Sequence, residues 1–302
     1  MAHASNMGLE RYDMTGKREA LMLCVMKGNQ GGPADLQIMK TFFKDFGFVS
    51  EFLIDGSVQE MREKLRSFRD RINRSDENIS CVLVATSSHG VRKGIIDPYQ
   101  KELQVEEILQ NFSDQQCPKL KGKPKIFMFD ACRGHLKDPG VSADREKDRR
   151  LQAQLNEQMK KEKHRVFMKT YQSPWIHDMI LFYPTRPDFV AWMTTEGSSM
   201  FVKMAEVLAS ADTENEHLRD LFVKVNKKMV NEDIMSKDGI RKNVMTTEST
   251  LSKLVYLGRR RGSSAEDTRH IFLLSCFLAC LRTFRVRFLR GSRALYILLQ
   301  SD

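Results

Sequence analysis

Apolar residues in the first half of the chain form short runs that alternate with segments of helical spacing. The runs predict β-strands over residues 19–26, 46–53, 79–86 and 126–131. Apolar positions three and four apart predict helices over 34–46, 58–68 and 105–112, with Ser57 capping the second helix. Strands and helices in alternation are typical of an α/β fold, in which helices cover both faces of a mainly parallel sheet.

The same pattern resumes in the second half of the chain. Strands are predicted over residues 179–183, 189–193 and 251–257, and helices over 200–208 and 217–230. Between the halves, residues 142–165 are rich in charge and glutamine and contain hardly any large apolar residue. This composition predicts a solvated linker, with a partner-binding helix as the alternative.

Two of the predicted strands lead into side chains that can carry chemistry. The run at 126–131 is followed by Cys132, and the run at 79–86 leads to His89. Neighbouring parallel strands end at the same edge of a sheet, so the two side chains would form a cysteine–histidine pair there. The alternatives are a buried structural thiol and an ordinary loop histidine.

A small-molecule binding module is the alternative outside the enzymes. In a flavodoxin-like module, the loop at residues 28–33 would have to hold a phosphate group. This loop contains three glycines, but it lacks the lysine and the Ser/Thr that a phosphate loop needs at fixed spacing. The sequence therefore favours the enzyme.

The formal charge of +10 does not indicate a nucleic-acid partner. Residues 258–302 contain nine arginines and three acidic residues, so +6 of the charge lies in this tail. Its apolar stretch, 271–281, is too short to span a bilayer, so we expect no membrane span. We expect a tail without folded structure, and the alternative is a segment that lies on an anionic membrane surface.

The six cysteines show neither the spacing of a disulfide framework nor that of a zinc site. We therefore expect no metal and no cofactor. The first ten residues contain no apolar segment of a secretory signal. Together these features predict a reduced compartment, the cytoplasm and also the nucleus.

The motif Asp130-Ala131-Cys132-Arg133-Gly134, with His89-Gly90 upstream, resembles the nucleophile and histidine motifs of the caspases. The resemblance covers residues 12–257. It implies a three-layer sandwich around a central, mainly parallel six-stranded sheet. It also implies a large-subunit region at 12–141 and a small-subunit region at 166–257, separated by an intersubunit linker at 142–165. Residues 1–11 would be an N-terminal extension.

The family resemblance also implies maturation and pairing. Caspases are made as precursors (zymogens), and Asp138, Asp144 and Asp148 are the candidate cleavage positions. Two units pair through the last strand, here near 251–257, so we expect a homodimer or a heterodimer with another caspase. The expected substrates are proteins, in apoptosis or epithelial differentiation.

The catalytic roles follow from the same resemblance. Cys132 would attack the peptide carbonyl as a thiolate, and His89 would act as general acid for the leaving amine. The backbone N–H groups of Gly90 and Cys132 would bind the oxyanion.

The substrate pocket departs from the family pattern. Caspases bind aspartate before the scissile bond with two arginines and a glutamine. In this sequence Asn29 stands at the first arginine position and Asp130 stands at the glutamine position. The segment after Trp192 is shorter than in the family and lacks the second arginine, which favours the second alternative below. Either Asp130 forms a pocket for Arg or Lys, as the matching residue does in metacaspases and paracaspases, or the protein is a non-proteolytic relative that pairs with other caspases.

Overall fold

The computed structural model describes residues 9–140, 176–194, 197–237 and 239–260. In chain order the elements are β1 (Lys17–Cys24), α1 (Gly32–Asp45), β2 (Phe48–Ile54), α2 (Val58–Arg74), β3 (Ile79–Ser87), β4 (His89–Val91), β5 (Gly94–Ile96), β6 (Glu102–Gln104), α3 (Val105–Gln110), a 3-10 turn (Pro118–Leu120), β7 (Lys125–Asp130), β8 (Gly134–Leu136), β9 (Met179–Tyr183), β10 (Asp188–Phe189), β11 (Met193–Thr194), β12 (Gly197–Ser198), α4 (Ser199–Leu208), α5 (Leu218–Asn231), β13 (Ile234–Ser236), β14 (Gly239–Arg241) and β15 (Thr246–Ser249).

Six strands form the central sheet, in the order β15-β9-β7-β3-β1-β2. The strands from β9 to β2 are all parallel to their neighbours, and β15 alone runs antiparallel, against β9. Parallel strands must be joined by crossovers, and those from β1 to β2, from β2 to β3 and from β3 to β7 each include a helix. The α/β prediction of a mainly parallel six-stranded sheet is confirmed.

The two faces of the sheet are covered by different helices. Along β7, Ile126 and Met128 pack with α1, α4 and α5, whereas Phe127 and Phe129 pack with α2 and α3. Side chains alternate between faces along a strand, so a strand buried on both sides appears in the sequence as one continuous apolar run. The run that ends just before Cys132 is such a strand.

The N-cap predicted at Ser57 is confirmed. The Ser57 hydroxyl accepts a hydrogen bond from the backbone N–H of Glu60, and the Glu60 carboxylate accepts one from the backbone N–H of Ser57. This capping box satisfies donors that the first turn of α2 would otherwise leave unpaired.

The prediction of a last strand over 251–257 is wrong. The last strand in the described part of the chain is β15, and within 251–257 only Leu254 forms an isolated bridge, to Arg11. Val255 and Leu257 are apolar because they pack in the core, whereas β15 is largely exposed and polar. An exposed strand at the edge of the sheet carries no apolar signal that the sequence could reveal.

The predicted strand over 189–193 is replaced by two shorter ones. β10 pairs with β8, while β11 pairs with β12 in a separate hairpin. The residues between them form the connection that passes close to Cys132. The predicted strand is interrupted because these residues pass around the site and do not belong to the central sheet.

The described tail residues at 258–260 lie against the domain. Arg18 donates to the carbonyl oxygen of Gly258 over 2.8 Å, and Arg260 donates to that of Thr15 over 3.0 Å. The rest of the predicted tail and the linker at 142–165 lie outside the described residues. Over the described residues, no helix is long and apolar enough to cross a bilayer.

The contact between α5 and the sheet gives a stability prediction. The Phe222 ring of α5 stacks on Phe182 of β9 with 3.7 Å between ring centroids. Phe222→Ala should lower the free energy of unfolding by about 3–5 kcal/mol, because it removes a buried ring and leaves a cavity. Denaturant unfolding measures this change.

The neighbouring residue provides the control. Val223 on the same helix is 62% exposed. Val223→Ala should change the free energy of unfolding by less than about 0.5 kcal/mol. Similar losses for the two variants would contradict the packing described for this face.

Candidate active site

The parallel pair β3 and β7 places the candidate catalytic residues. In the register of this pair, Ser87 lies opposite Asp130, the last residue of each strand. His89 and Cys132 each follow two residues later, and the backbone N–H of Ser88 donates to the Asp130 carbonyl over 3.1 Å. The two loops therefore leave the sheet side by side, as the sequence predicts.

Gly90 lies directly against the Cys132 backbone. A Cβ atom added at Gly90 would lie 2.3 Å from the Cys132 carbonyl oxygen and 3.3 Å from its backbone nitrogen. Only a residue without a side chain permits this approach. The structure thus brings together the two residues whose N–H groups are predicted to bind the oxyanion.

Each candidate catalytic side chain contacts a backbone carbonyl. The His89 Nε2 lies 3.1 Å from the carbonyl oxygen of Gly28, and because a carbonyl only accepts, Nε2 carries the proton. The Cys132 thiol donates to the carbonyl oxygen of Ala191 over 3.7 Å. Gly28 has a φ of +76°, the left-handed conformation that glycine adopts without strain.

The electrostatic environment favours the thiol form of Cys132. Burial raises the pKa of the Cys132 thiol, and the negative charge of Asp130 raises it further. At neutral pH the group is therefore held as a thiol in the unliganded protein. A reactive thiolate would form only if the thiol became less buried or the charge of Asp130 were neutralised.

A buried polar network lies beside the ends of β1 and β3. Asn29 donates through its amide nitrogen to the Ser87 hydroxyl over 3.1 Å, and that hydroxyl donates to the Asp35 carboxylate over 2.7 Å. All three residues are buried. The sequence analysis singled out Asn29 but neither Ser87 nor Asp35, because a short polar residue at a strand end and an acid in the first turn of a helix are common features.

Asp130 belongs to the same region. It follows Ile126 and Met128 in the alternation along β7, which directs its side chain to the face covered by α1. The Cys24 thiol lies on the same face, in β1. Burial raises the pKa of this thiol to about 12, and the negative charges of Asp35, Asp55 and Asp130 contribute to the increase. The ends of β1, β3 and β7 therefore form an acidic region, which we call the acidic pocket (Asn29, Asp35, Ser87 and Asp130).

The β11–β12 hairpin covers one side of the acidic pocket. A Cβ atom added at Gly197 would lie 3.2 Å from a carboxylate oxygen of Asp35 and 3.1 Å from the Ala34 side chain. Gly197 has a φ of +135°, so the chain there favours glycine. This hairpin follows Trp192, the segment in which the family would carry its second arginine.

A space opens beside Cys132 on the face of the sheet opposite the acidic pocket. It is a cavity of about 370 Å³, lined in part by Phe129, Leu181 and Tyr183. The Arg133 guanidinium lies 3.8 Å from the centre of the Tyr183 ring and donates to Thr246 in β15. Cys132 thus lies between this cavity and the buried acidic side chains.

No group of three or more His, Cys, Asp or Glu side chains that could hold a metal ion occurs in the described parts of the chain. The described cysteines, at positions 24, 81, 117 and 132, are all free thiols.

Residues 17–256 match the family model described as the caspase domain. This match covers well over half of the chain. The protein belongs to the caspase family. Caspases are cysteine peptidases, and the nucleophile and histidine motifs that suggested the family lie within the matched region.

Individual caspases match over most of the chain. Human caspase-14 is 26% identical over 260 residues, which cover 85% of this chain and 100% of that protein. Mouse caspase-14 is 28% identical over 250 residues, covering 82% of this chain and 95% of that protein. Among solved structures, the crystal structure of caspase-1 from Spodoptera frugiperda superposes with a TM-score of 0.68 at 21% identity. The match covers 84% of this chain and 95% of that one, and it shows the shared fold.

Of the three candidate maturation positions of this caspase, Asp138 lies within the described residues. Two contacts hold Asp138 in place. Its carboxylate lies 2.7 Å from the Arg186 guanidinium, and its carbonyl oxygen accepts a hydrogen bond from the backbone N–H of Lys242. Cleavage at Asp138 would need these contacts to open. Asp144 and Asp148 lie outside the described residues, and all three remain predictions.

The environment of Cys132 gives a prediction on its reactivity. Iodoacetamide should alkylate Cys132 slowly at neutral pH, because thiolate is the reactive form and burial raises the pKa of this thiol. The rate should rise with pH, with a midpoint above the value of about 8.5 for a free cysteine. Mass spectrometry of the Cys132 peptide follows the labelling.

Cys132→Ala gives the background from the other cysteines. Cys24 and Cys81, whose burial raises each pKa to about 12, should stay unlabelled in the folded protein. A midpoint for Cys132 below that of a free cysteine would contradict the electrostatic description.

Proposed function

We propose that this caspase is a cysteine endopeptidase that uses Cys132 and His89 and prefers Arg or Lys, rather than Asp, before the scissile bond. The observation that carries the catalytic part is the common exit of the two loops beyond the Ser87–Asp130 pair. The observation that carries the substrate preference is the acidic pocket next to Cys132.

The hydrogen bond of His89 supports its role. A neutral imidazole that donates through Nε2 to the Gly28 carbonyl has its lone pair on Nδ1. Nδ1 is then the atom that takes the thiol proton, and it later delivers this proton to the leaving amine. The Gly28 carbonyl fixes the tautomer and stabilises the imidazolium that forms.

The reaction follows from these roles. The Cys132 sulfur attacks the peptide carbonyl, and the oxyanion is bound by the N–H groups of Gly90 and Cys132. Protonation of the amine by His89 breaks the C–N bond and leaves a thioester on Cys132. Water activated by His89 then hydrolyses the thioester and restores the thiol.

Charge determines which substrate side chain fits the pocket. An aspartate would meet Asp130 and Asp35, and the like charges together with lost hydration would cost several kcal/mol. An arginine or lysine would be attracted by the same carboxylates. A cation bound beside Asp130 would also weaken the negative field that raises the pKa of Cys132. Binding of the preferred side chain would therefore favour the thiolate.

The second candidate function is a regulator that lacks peptidase activity and pairs with other caspases. The raised pKa of the Cys132 thiol favours it, because the unliganded site does not hold a thiolate. β15 is the end strand of the central sheet and is largely exposed, so its outer edge could pair with a second chain. The paired chain would be a second copy or another caspase, acting in apoptosis or epithelial differentiation.

A panel of fluorogenic peptides with Asp, Arg or Lys before the cleaved bond tests the proposal. We expect turnover of the Arg and Lys peptides, about 100-fold or more above the Asp peptide, and complete loss with Cys132→Ala. Turnover of the Asp peptide alone would reject the basic preference. A silent panel, with retained binding to another caspase in sedimentation experiments, would support the regulator.

Asp130→Asn tests the acidic pocket separately. It should lower kcat/KM for the Arg peptide by about 100-fold, because one of the two carboxylates that attract the cation is lost. Glu63→Gln, an acid-to-amide change on the exposed surface of α2, should leave kcat/KM unchanged. Equal effects of the two variants would show that general charge, rather than the pocket, determines the rate.

A further inference from the structure

The hairpin that carries His89 is linked to the cysteine loop at a second point besides Gly90, through β10. Arg92 lies in the turn between β4 and β5, three residues after His89. Its guanidinium forms an ion pair with the Asp188 carboxylate at 2.5 Å, where the side chains are 34% and 11% exposed. The Asp188 carboxylate is therefore mostly buried, whereas the Arg92 end of the pair is half-buried.

Asp188 and its neighbour Phe189 are hydrogen-bonded to Arg133, the residue that follows Cys132. The Asp188 backbone N–H donates to the Arg133 carbonyl over 2.9 Å, and the Arg133 N–H donates to the Phe189 carbonyl over 2.9 Å. Two residues further on, Val190 donates to the Leu136 carbonyl over 2.8 Å. A displacement of Asp188 would therefore also displace the backbone next to Cys132.

The backbone conformation of Asp188 indicates that this residue has a function. Its φ is +76°, in the left-handed region. Glycine adopts this conformation readily, whereas residues with a side chain adopt it at a cost in energy. A Cβ atom added at Gly134 would lie 2.3 Å from the Asp188 carbonyl oxygen, so the two segments pack at backbone distance. A residue held in a strained conformation beside a reactive group is a sign of function.

We propose that Arg92–Asp188 is a positioning pair that holds the His89 hairpin at the correct distance from Cys132. Gly90 supplies one point of contact between hairpin and cysteine loop, and a single point leaves the hairpin free to tilt. The ion pair supplies the second point. The inference rests on the proposed function for its catalytic consequence, although the geometry it describes can be tested without catalysis.

Asp188→Gly and Asp188→Asn separate positioning from stability. Glycine relieves the strained backbone and removes the carboxylate, while asparagine tolerates positive φ and removes only the charge. With a chloromethyl ketone peptide ending in Arg, both variants should lower the maximal inactivation rate about tenfold and leave the half-saturating concentration unchanged. The melting temperature of Asp188→Gly should equal or exceed that of the unchanged protein.

Matched variants complete the test. Arg92→Gln should reproduce the loss, and Arg92→Lys, which keeps the charge, should recover part of the rate. Glu107→Gln breaks the Arg62–Glu107 pair between α2 and α3, which spans 2.7 Å, and should leave the rate unchanged. Inactivation of Asp188→Gly and Asp188→Asn within twofold of the unchanged protein would overturn the proposal, as would a rate that falls only in proportion to stability.

A spectroscopic measurement keeps the inference independent of proteolysis. The ring resonances of His89 in NMR spectra should shift in Asp188→Asn and Arg92→Gln and stay in place in Glu107→Gln. If the peptide reagent fails to label Cys132 in the unchanged protein but these shifts occur, the proposed function fails and the positioning pair stands. Unchanged His89 resonances in both pair variants would overturn the positioning pair, whatever the reagent does.

Discussion

The parallel pairing of β3 with β7 is the constraint on which the candidate site depends. Because Ser87 and Asp130 lie opposite each other at the strand ends, the loops that carry His89 and Cys132 begin at the same level. Both strands are buried along their whole length, so hydrophobic packing on both faces holds the register. A slip of one residue would turn every side chain to the wrong face, which strongly disfavours any other register.

Charges at the strand ends then decide what the site can bind. The acidic pocket lies on the α1 side of the sheet, where Asp130 and Asp35 act together on the Cys24 thiol. The carboxylate that suits a cationic substrate side chain also raises the pKa of Cys132. In the proposed function, substrate choice and the reactivity of Cys132 are therefore linked through one side chain, Asp130, rather than set by separate parts of the protein.

Contacts from distant parts of the chain fix the cysteine loop. Arg133 reaches the edge strand β15 through Thr246 and stacks on Tyr183, while Asp188 is bonded to its backbone. A loop that met only its sequence neighbours would leave Cys132 mobile relative to His89. The loop is instead held from the edge strand, from the segment before Trp192 and from the histidine hairpin.

Local patterns were sufficient for the parts of the fold that depend on neighbours in sequence. The apolar runs located five of the six sheet strands, and Ser57 marked the start of α2, because burial and capping act within a few residues. They failed for β15, whose polar residues form a strand only because β9 lies beside them. Asp35 and Ser87 were missed for a related reason: each is an ordinary residue until the other is placed within 2.7 Å.

The sequence by itself determined the fold class and the family, and it predicted that the strands leading to His89 and Cys132 end side by side. Each of these follows from a continuous motif or from the order of buried strands. Only the tertiary structure decided the acidic pocket, the Arg92–Asp188 pair and the raised pKa of Cys132. These depend on distances between side chains far apart in the chain, and both burial and Coulomb interactions change with distances that a one-dimensional pattern does not contain.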